Sequence, residues 1–156
     1  MDPELRVMTP DAAAERITGL LEQAELVPLV ITGNSMYPFL THGRDTVYLR
    51  KVRAPLKKGD MVLFSRRNGR YILHRVLSVD THLTLLGDNQ VEPEPGIAPE
   101  QVLAVVSAVR RKGKLLQPGA PVWFFYEKIW LRLIPLRPYL MAIHRRFTGR
   151  RPADLE

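Results

Sequence analysis

The chain has 156 residues, 46% of them hydrophobic, so it is long enough to bury one substantial core but short for two full domains. It contains no cysteine, which excludes disulfides and thiolate metal sites and fits a reducing compartment. The formal net charge of +7 is concentrated near the C terminus, since between Arg110 and Arg151 eleven basic residues accompany one acidic residue, Glu127. Such a segment suits anionic phospholipid, nucleic acid or an acidic peptide, and charge alone does not choose among them.

The N-terminal part of the chain predicts one helix. Thr9-Pro10-Asp11 is typical of a helix start, because it combines a capping hydroxyl, a proline suited to the first turn and an acid that favours the helix dipole. An apolar stripe follows at spacings of three and four, formed by Ile17, Leu20, Leu21 and Ala24. We expect a helix from Pro10 to about Glu25. The first 25 residues lack the apolar core of a secretion signal, so we also expect a cytoplasmic protein.

From residue 28 the pattern changes to short β-type runs separated by Gly, Pro, Asn and Asp. These runs cover residues 29–31, 46–49, 61–65, 71–79, 83–86 and 102–109. Asn68-Gly69 lies between the third and fourth runs and predicts a two-residue hairpin turn, since both positions must tolerate positive φ. Residues 92–96 read Glu-Pro-Glu-Pro-Gly and predict an exposed loop, because proline cannot donate to a central strand.

The C-terminal segment predicts amphipathic helices rich in aromatic and basic side chains. Pro135 and Pro138 should kink or end the first of them. The charges and prolines argue against a membrane-spanning helix, but not against a helix that lies on a membrane. The aromatic residues either enter the headgroup boundary of an anionic membrane or pack on the β body or a second subunit; they include Trp123, Phe124 and Trp130.

These elements together predict a mainly β chain of the α+β class. We expect an N-terminal helix packed on the body in 1–27, an antiparallel β-rich domain in 28–117, and a basic amphipathic helical tail in 118–156.

The most informative stretch is the turn Gly33-Asn34-Ser35-Met36-Tyr37-Pro38, which is built to hold a serine. A serine hydroxyl is a poor nucleophile unless a base lies within hydrogen-bond reach. His74 lies in an otherwise apolar strand, and Asp88 closes the next strand within Gly87-Asp88-Asn89. A serine, a histidine and an aspartate supply a nucleophile, a general base and a group that orients the base, provided that the fold brings them together.

Each of these residues also has a structural interpretation. Ser35 and Asp88 occur in turns, where both residue types are common. His74 has apolar neighbours and could be a core histidine. His42 lies close to Ser35 in sequence and is the main rival base, whereas Asp60 is interpreted first as structural.

Four short segments, taken in order, resemble the successive conserved boxes of the type I signal peptidase and repressor-type serine peptidase superfamily. They are Asn34-Ser35-Met36-Tyr37-Pro38, Lys57-Lys58-Gly59-Asp60-Met61-Val62, His74-Arg75-Val76 and Gly87-Asp88-Asn89. Any one box is weak, but four in order with compatible spacing are fairly specific. The third box carries lysine in the bacterial housekeeping branch. Histidine at this box is similar to the serine-histidine branch of the endoplasmic reticulum, archaea and some sporulating bacteria.

The resemblance implies a serine endopeptidase that removes a leader or signal segment from an extended peptide. Ser35 would attack the peptide carbonyl, His74 would take its proton, and Asp88 would steady the imidazolium. The oxyanion would be held by the Ser35 amide and groups of the turn formed by Gly33 and Asn34. Because they flank the nucleophile, we expect substrate contacts from Met36 and Tyr37. No cofactor or metal is implied.

Two other functions remain open. The same fold could bind a peptide without cutting it, or the tail could make the protein a membrane-surface or oligomeric adaptor. Specific nucleic-acid binding is not expected, because the residues before the β body are too few for a helix-turn-helix and the basic tail offers no recognition element.

Overall fold

The computed structural model describes residues 10–149. Helix α1 covers Pro10–Gln23, as predicted to within two residues, and the predicted cap at Thr9 lies outside the described residues. Ile17 and Leu21 of α1 are buried against the sheet, whereas Leu20 is partly exposed. The apolar stripe therefore packs the helix on the β body, as its spacing indicated.

Eight antiparallel strands form one sheet in the order β1-β2-β7-β3-β4-β5-β6, with β8 paired to β7. Their bounds are β1 Val27–Val30, β2 Thr46–Arg50, β3 Met61–Ser65, β4 Tyr71–Val79, β5 Leu83–Leu86, β6 Glu94–Ile97, β7 Val102–Arg111 and β8 Lys114–Leu116. All six predicted β runs are strands, so the β-rich α+β class is confirmed. The strands β1 and β6 form the two ends of the sheet.

The predicted hairpin at Asn68-Gly69 is present, but its connection is longer than two residues. Strands β3 and β4 pair through Ser65 and Tyr71, and the Arg66 N–H donates to the Arg70 carbonyl at 2.8 Å. Gly69 has φ +79°, which places the left-handed residue at the end of a three-residue loop.

The prediction of an exposed loop at residues 92–96 is wrong for its last three residues, because Glu94–Ile97 forms strand β6. It pairs with β5 through Leu83 opposite Ile97 and Leu85 opposite Glu94. At the end of a sheet a proline N atom has no ladder bond to make, so Pro95 is tolerated there. The prolines excluded a central strand but not an edge strand.

Alternate residues of β3 point into two separate cores on the opposite faces of the sheet. The first core cluster includes Ile31, Met36, Phe39, Met61, Leu63, Leu73 and Trp123. The second core cluster includes Val62, Phe64, Val76, Leu85 and Val105.

The C-terminal segment is helical and packs on the body. Helix α2 covers Pro121–Phe124, one π turn and two 3-10 turns follow, and α3 covers Arg137–Thr148. The first run of helical turns ends at Arg132, before Pro135, as predicted, but Pro138 lies in the first turn of α3, where a proline is tolerated, instead of ending a helix. Trp123 and Trp130 are only 4% and 5% exposed, so they pack on the body and do not reach lipid. Every helix within residues 10–149 is too short or too polar to cross a bilayer.

Candidate active site

The turn that carries Ser35 belongs to a tightly fixed loop between β1 and β2. The loop ends are tied together, because the Ile31 N–H donates to the Asp45 carbonyl at 2.9 Å and the Gly43 N–H donates to the Ile31 carbonyl at 2.8 Å. Arg111 of β7 donates from Nε to the Phe39 carbonyl at 2.7 Å. Since Phe39 is itself fully buried, the loop holds the serine in one place.

Ser35 is half-buried and is held by two other segments of the chain. Its Oγ donates to the Leu73 carbonyl of β4 at 3.3 Å, and its own carbonyl accepts from the Asn89 N–H at 2.9 Å. The segment around Gly59 also meets β4, because Arg75 donates to the Gly59 carbonyl at 3.0 Å. The four segments singled out in the sequence therefore converge around β4.

His74 is buried in β4 with its ring at the second core cluster. It is 1% exposed, and its ring centroid lies 5.6 Å from that of Phe64. Within the described part of the chain neither ring nitrogen has a hydrogen-bond partner, although Nδ1 lies 3.7 Å from Oε2 of Glu94. Burial lowers the pKa of His74 from its ordinary 6.5 to about 4; the Glu94 carboxylate opposes this shift and the Arg66 guanidinium adds to it. The ring is therefore neutral at neutral pH.

Ser35 and His74 are both among the residues that line a cleft of about 830 Å³ beside β4, but the Ser35 hydroxyl and the His74 ring are not hydrogen-bonded to each other. The serine loop packs on the first core cluster, whereas His74 shares its face of β4 with Ile72 and Val76. Ser35 reaches β4 at the carbonyl of the residue immediately before His74. The candidate nucleophile and the candidate base thus lie on either side of the β4 backbone, and the serine hydroxyl is bonded to the Leu73 carbonyl instead of the histidine.

Asp88 does not take the predicted position beside the histidine, because its carboxylate binds Arg75. Arg75 donates from Nε and Nη2 to the two Asp88 oxygens at 3.0 and 2.9 Å, and both side chains are 0% exposed. Neighbouring residues of a strand point to opposite faces, so Arg75 and Asp88 lie on one side of β4 and the His74 ring on the other. In this structure Asp88 does not orient the imidazole.

Among residues 10–149 the carboxylate that lies nearest to the His74 ring is that of Glu94, a residue that no sequence pattern singled out. Arg66 holds it with two hydrogen bonds, from Nε to Oε1 at 2.7 Å and from Nη2 to Oε2 at 2.8 Å. The Glu-Pro-Glu-Pro-Gly composition concealed this residue, because it predicted a loop where the chain forms an edge strand.

The other candidate residues have mainly structural contacts. His42 is exposed and its Nδ1 accepts from the Gly33 N–H at 2.9 Å, so this nitrogen shapes the serine turn. That bond also occupies the Gly33 donor, which was predicted to help hold an oxyanion. Within residues 10–149 the Ser35 N–H donates to no protein acceptor and keeps that capacity. Asp60 accepts from the Lys57 N–H at 2.9 Å, in agreement with its structural interpretation.

The residues that flank Ser35 differ in their access to substrate. Met36 reaches the wall of the cleft although it is 2% exposed. Tyr37 is also 2% exposed and packs with Trp130 and Met141 of the C-terminal segment, so its side chain lies away from the cleft wall and its substrate contact stays a prediction. Asn34 lies at the cleft wall, and its carbonyl accepts from the Tyr37 N–H at 3.1 Å.

The cleft has a volume of about 830 Å³ and runs between the β1 end of the serine loop and strand β4. Its wall is mainly apolar, with contributions from Ile17, Leu29, Ile31, Leu63, Tyr71 and Leu73. Arg70 and His42 add polar groups at the wall. A cleft of this size and chemistry suits a short segment of peptide.

The C-terminal segment holds the 87–90 turn, a role that the sequence did not indicate. Arg137 donates from Nη1 to the carbonyls of Gly87 and Gln90 at 3.0 and 2.7 Å, and Trp130 donates from Nε1 to the Asp88 carbonyl at 2.8 Å. Burial lowers the pKa of Arg137 to about 10, so the guanidinium stays charged at neutral pH. Because Asn89 binds the Ser35 carbonyl, the helical segment supports the serine turn through this contact.

Replacing Gly87 by alanine is expected to disturb the serine turn directly. A Cβ atom at this position would lie 2.6 Å from the Ser35 carbonyl oxygen and 3.0 Å from Oε1 of Gln90. We expect a loss of about 1–3 kcal/mol in the free energy of unfolding measured in urea. Gly19→Ala is the matched control, because a Cβ there meets nothing within 4 Å. Equal unfolding free energies for the two variants would contradict the close approach of Gly87 to Ser35.

Comparison of the chain with protein-family models, with curated proteins and with solved structures finds no match. The functional interpretation therefore depends on the convergence of the four sequence segments around β4 and on the chemistry of the residues they bring to the cleft.

Proposed function

We propose that this protein is a serine endopeptidase that cleaves a leader or signal segment from a peptide, on a body of the signal-peptidase and repressor type. Ser35 is the nucleophile and His74 the general base. One observation carries the proposal: Ser35 and His74 line the same cleft, Ser35 Oγ is bonded to the carbonyl of the residue before His74, and neither buried ring nitrogen of His74 has a hydrogen-bond partner among residues 10–149. An unpartnered buried polar group is costly and calls for a functional explanation.

The reaction would proceed by acyl transfer. Ser35 exchanges its bond to the Leu73 carbonyl for a bond to the ring, which requires the His74 side chain to turn from the second core cluster towards the serine. The hydroxyl then attacks the scissile carbonyl carbon and gives its proton to His74. His74 returns that proton to the leaving amine, and water then hydrolyses the ester by the same route. The lowered pKa keeps the ring free of a proton at neutral pH and ready to accept one, although it also makes the ring a weaker base.

Glu94 takes the supporting position that the sequence assigned to Asp88. Its oxygen lies 3.7 Å from Nδ1, and a negative charge there favours the imidazolium that forms when Ser35 loses its proton. The oxyanion that develops on the substrate would meet the Ser35 N–H.

The substrate is a peptide in extended conformation. Strand β1 leads directly into the serine loop and pairs with β2 on one side only among the described strands, so its other edge can pair with a substrate backbone. The apolar wall of the cleft would take the apolar side chains typical of leader segments. We place this activity in the cytoplasm, a reducing compartment that the absence of cysteine fits.

A peptide-binding module without catalysis is the second candidate. It is favoured by the bond from Ser35 Oγ to the Leu73 carbonyl, which leaves the hydroxyl unactivated. Both candidates use the same cleft, so the reactivity of Ser35 separates them.

Labelling with a fluorophosphonate probe tests the proposal. We expect the wild-type protein to be labelled at Ser35, Ser35→Ala to show no labelling, and His74→Ala to label far more slowly. His82→Ala is the matched control, because that histidine is exposed on the β4–β5 turn and should label like wild type. Absence of labelling and of peptide cleavage in a folded wild-type protein that still binds library peptides would refute the peptidase and support the binding module.

A further inference from the structure

Helix α3 carries an apolar stripe that the body does not cover. Leu136, just before this helix, and Tyr139, Ile143 and Phe147 within it recur at spacings of three and four, and they are 51%, 72%, 54% and 87% exposed. The body-facing side of α3 is different, because there Arg137 and Met141 are buried. The helix therefore has one face that packs on the body and one open apolar face.

The exposed charged side chains of residues 121–149 all have one sign. Arg132 and Arg146 are exposed in this segment. The one acid between residues 121 and 149 is Glu127, whose side chain is 16% exposed and lies 3.9 Å from the Lys128 ammonium. An apolar face with exposed cations and no exposed acid is the arrangement of helices that lie in the interface of a bilayer.

We infer that α3 docks this protein on an anionic phospholipid surface. The side chains of Leu136, Ile143 and Phe147 would enter the boundary between headgroups and acyl chains, while the arginines meet lipid phosphates. A second copy of the chain is a poorer occupant, because it would bring a second basic, acid-poor surface against the first with no negative charge to neutralise it. The membrane contact that the sequence suggested for Trp123 and Trp130 is thus assigned to α3 instead, because both tryptophans are buried against the body.

Docking by α3 would also place the cleft near the lipid surface. Arg137, at the start of α3, holds the carbonyls of Gly87 and Gln90, and Trp130 just before it holds the Asp88 carbonyl. The helix that meets the membrane therefore belongs to the same segment of the chain that holds the 87–90 turn next to Ser35. The inference does not depend on the chemistry of Ser35.

Co-flotation of the full chain with vesicles tests the docking. We expect binding to vesicles of phosphatidylcholine mixed with phosphatidylglycerol, little binding to phosphatidylcholine alone, and weaker binding as salt rises. The double variant Ile143→Ser, Phe147→Ser and the single variant Arg146→Glu should each lower binding by at least about tenfold. Leu115→Ser is the matched control, because Leu115 is an equally exposed apolar residue on β8 and its loss should leave binding unchanged.

Thermal unfolding shows whether each variant is folded. We expect all of them to fold, because the substituted side chains are exposed and contribute little to the core. Absence of co-flotation at low salt would overturn the inference, as would binding that the Ile143 and Phe147 changes leave intact. Concentration-dependent dimers in sedimentation that the same changes abolish would also overturn it, since a second copy would then cover the stripe.

Discussion

Replacing Asp88 by asparagine is expected to lower the free energy of unfolding by about 3–5 kcal/mol, the largest stability effect among our predictions. The substitution keeps the shape of the side chain but leaves the Arg75 guanidinium buried without its counter-charge. Arg75 and Asp88 are both 0% exposed and are joined by two hydrogen bonds of 3.0 and 2.9 Å. A buried charge that loses its partner cannot recover its hydration, so the cost exceeds that of a surface pair.

The exposed pair of Lys51 and Glu22, joined at 2.7 Å, is the matched control. Glu22→Gln makes the same chemical change at a side chain that is 65% exposed and should cost less than about 1 kcal/mol. Urea unfolding at neutral pH measures both. Equal small losses for Asp88→Asn and Glu22→Gln would contradict the buried pair.

A double-mutant cycle identifies the partner of Asp88. The variants Arg75→Met and Asp88→Asn should each be strongly destabilised, and the double variant should lose less than the sum of the two. If Asp88 instead worked on His74, as the sequence predicted, its cost would couple to His74→Gln and not to Arg75→Met.

Acid is expected to destabilise the protein through His74 by up to about 3 kcal/mol. The unfolded chain binds a proton at this residue near its ordinary pKa of 6.5, whereas the folded protein binds it only near pH 4. The unfolded state therefore holds more protons between these values, so stability is complete above pH 6.5 and falls as the pH drops towards 4. The separation of the two pKa values sets the size of the loss.

The measurement compares the free energy of unfolding at pH 7 and near pH 4.5 for wild type and His74→Gln. Carboxylates elsewhere contribute to both proteins, so their effects cancel in the comparison, although Glu94 and Arg66 face the ring and should be kept unchanged. We expect the variant to lose less stability than wild type on acidification. His82→Gln, at an exposed histidine, should retain the wild-type pH dependence, and an identical dependence for His74→Gln would refute the buried neutral ring.

Local patterns predicted most of the secondary structure. Helix α1 followed from its first-turn residues and apolar spacing, and six strands followed from short β-type runs, because periodicity reports which side of an element is buried. The edge strand β6 was missed since its prolines disfavour a strand in general but not at the end of a sheet. Strand β8 is three residues long and gave too short a pattern to detect.

The serine turn, the histidine strand and the aspartate turn could all be predicted from the residues alone, in an order that four motifs make specific. The partners of these residues could not be predicted and follow from the fold. His74 and Arg75 are neighbours in sequence, yet the pleat of β4 sends them to opposite faces, where one meets Glu94 and the other Asp88. The alternation could be predicted, but the residues lying across each face come from strands and turns 13 or more positions away. Long-range packing chooses these partners, and no local pattern encodes that choice.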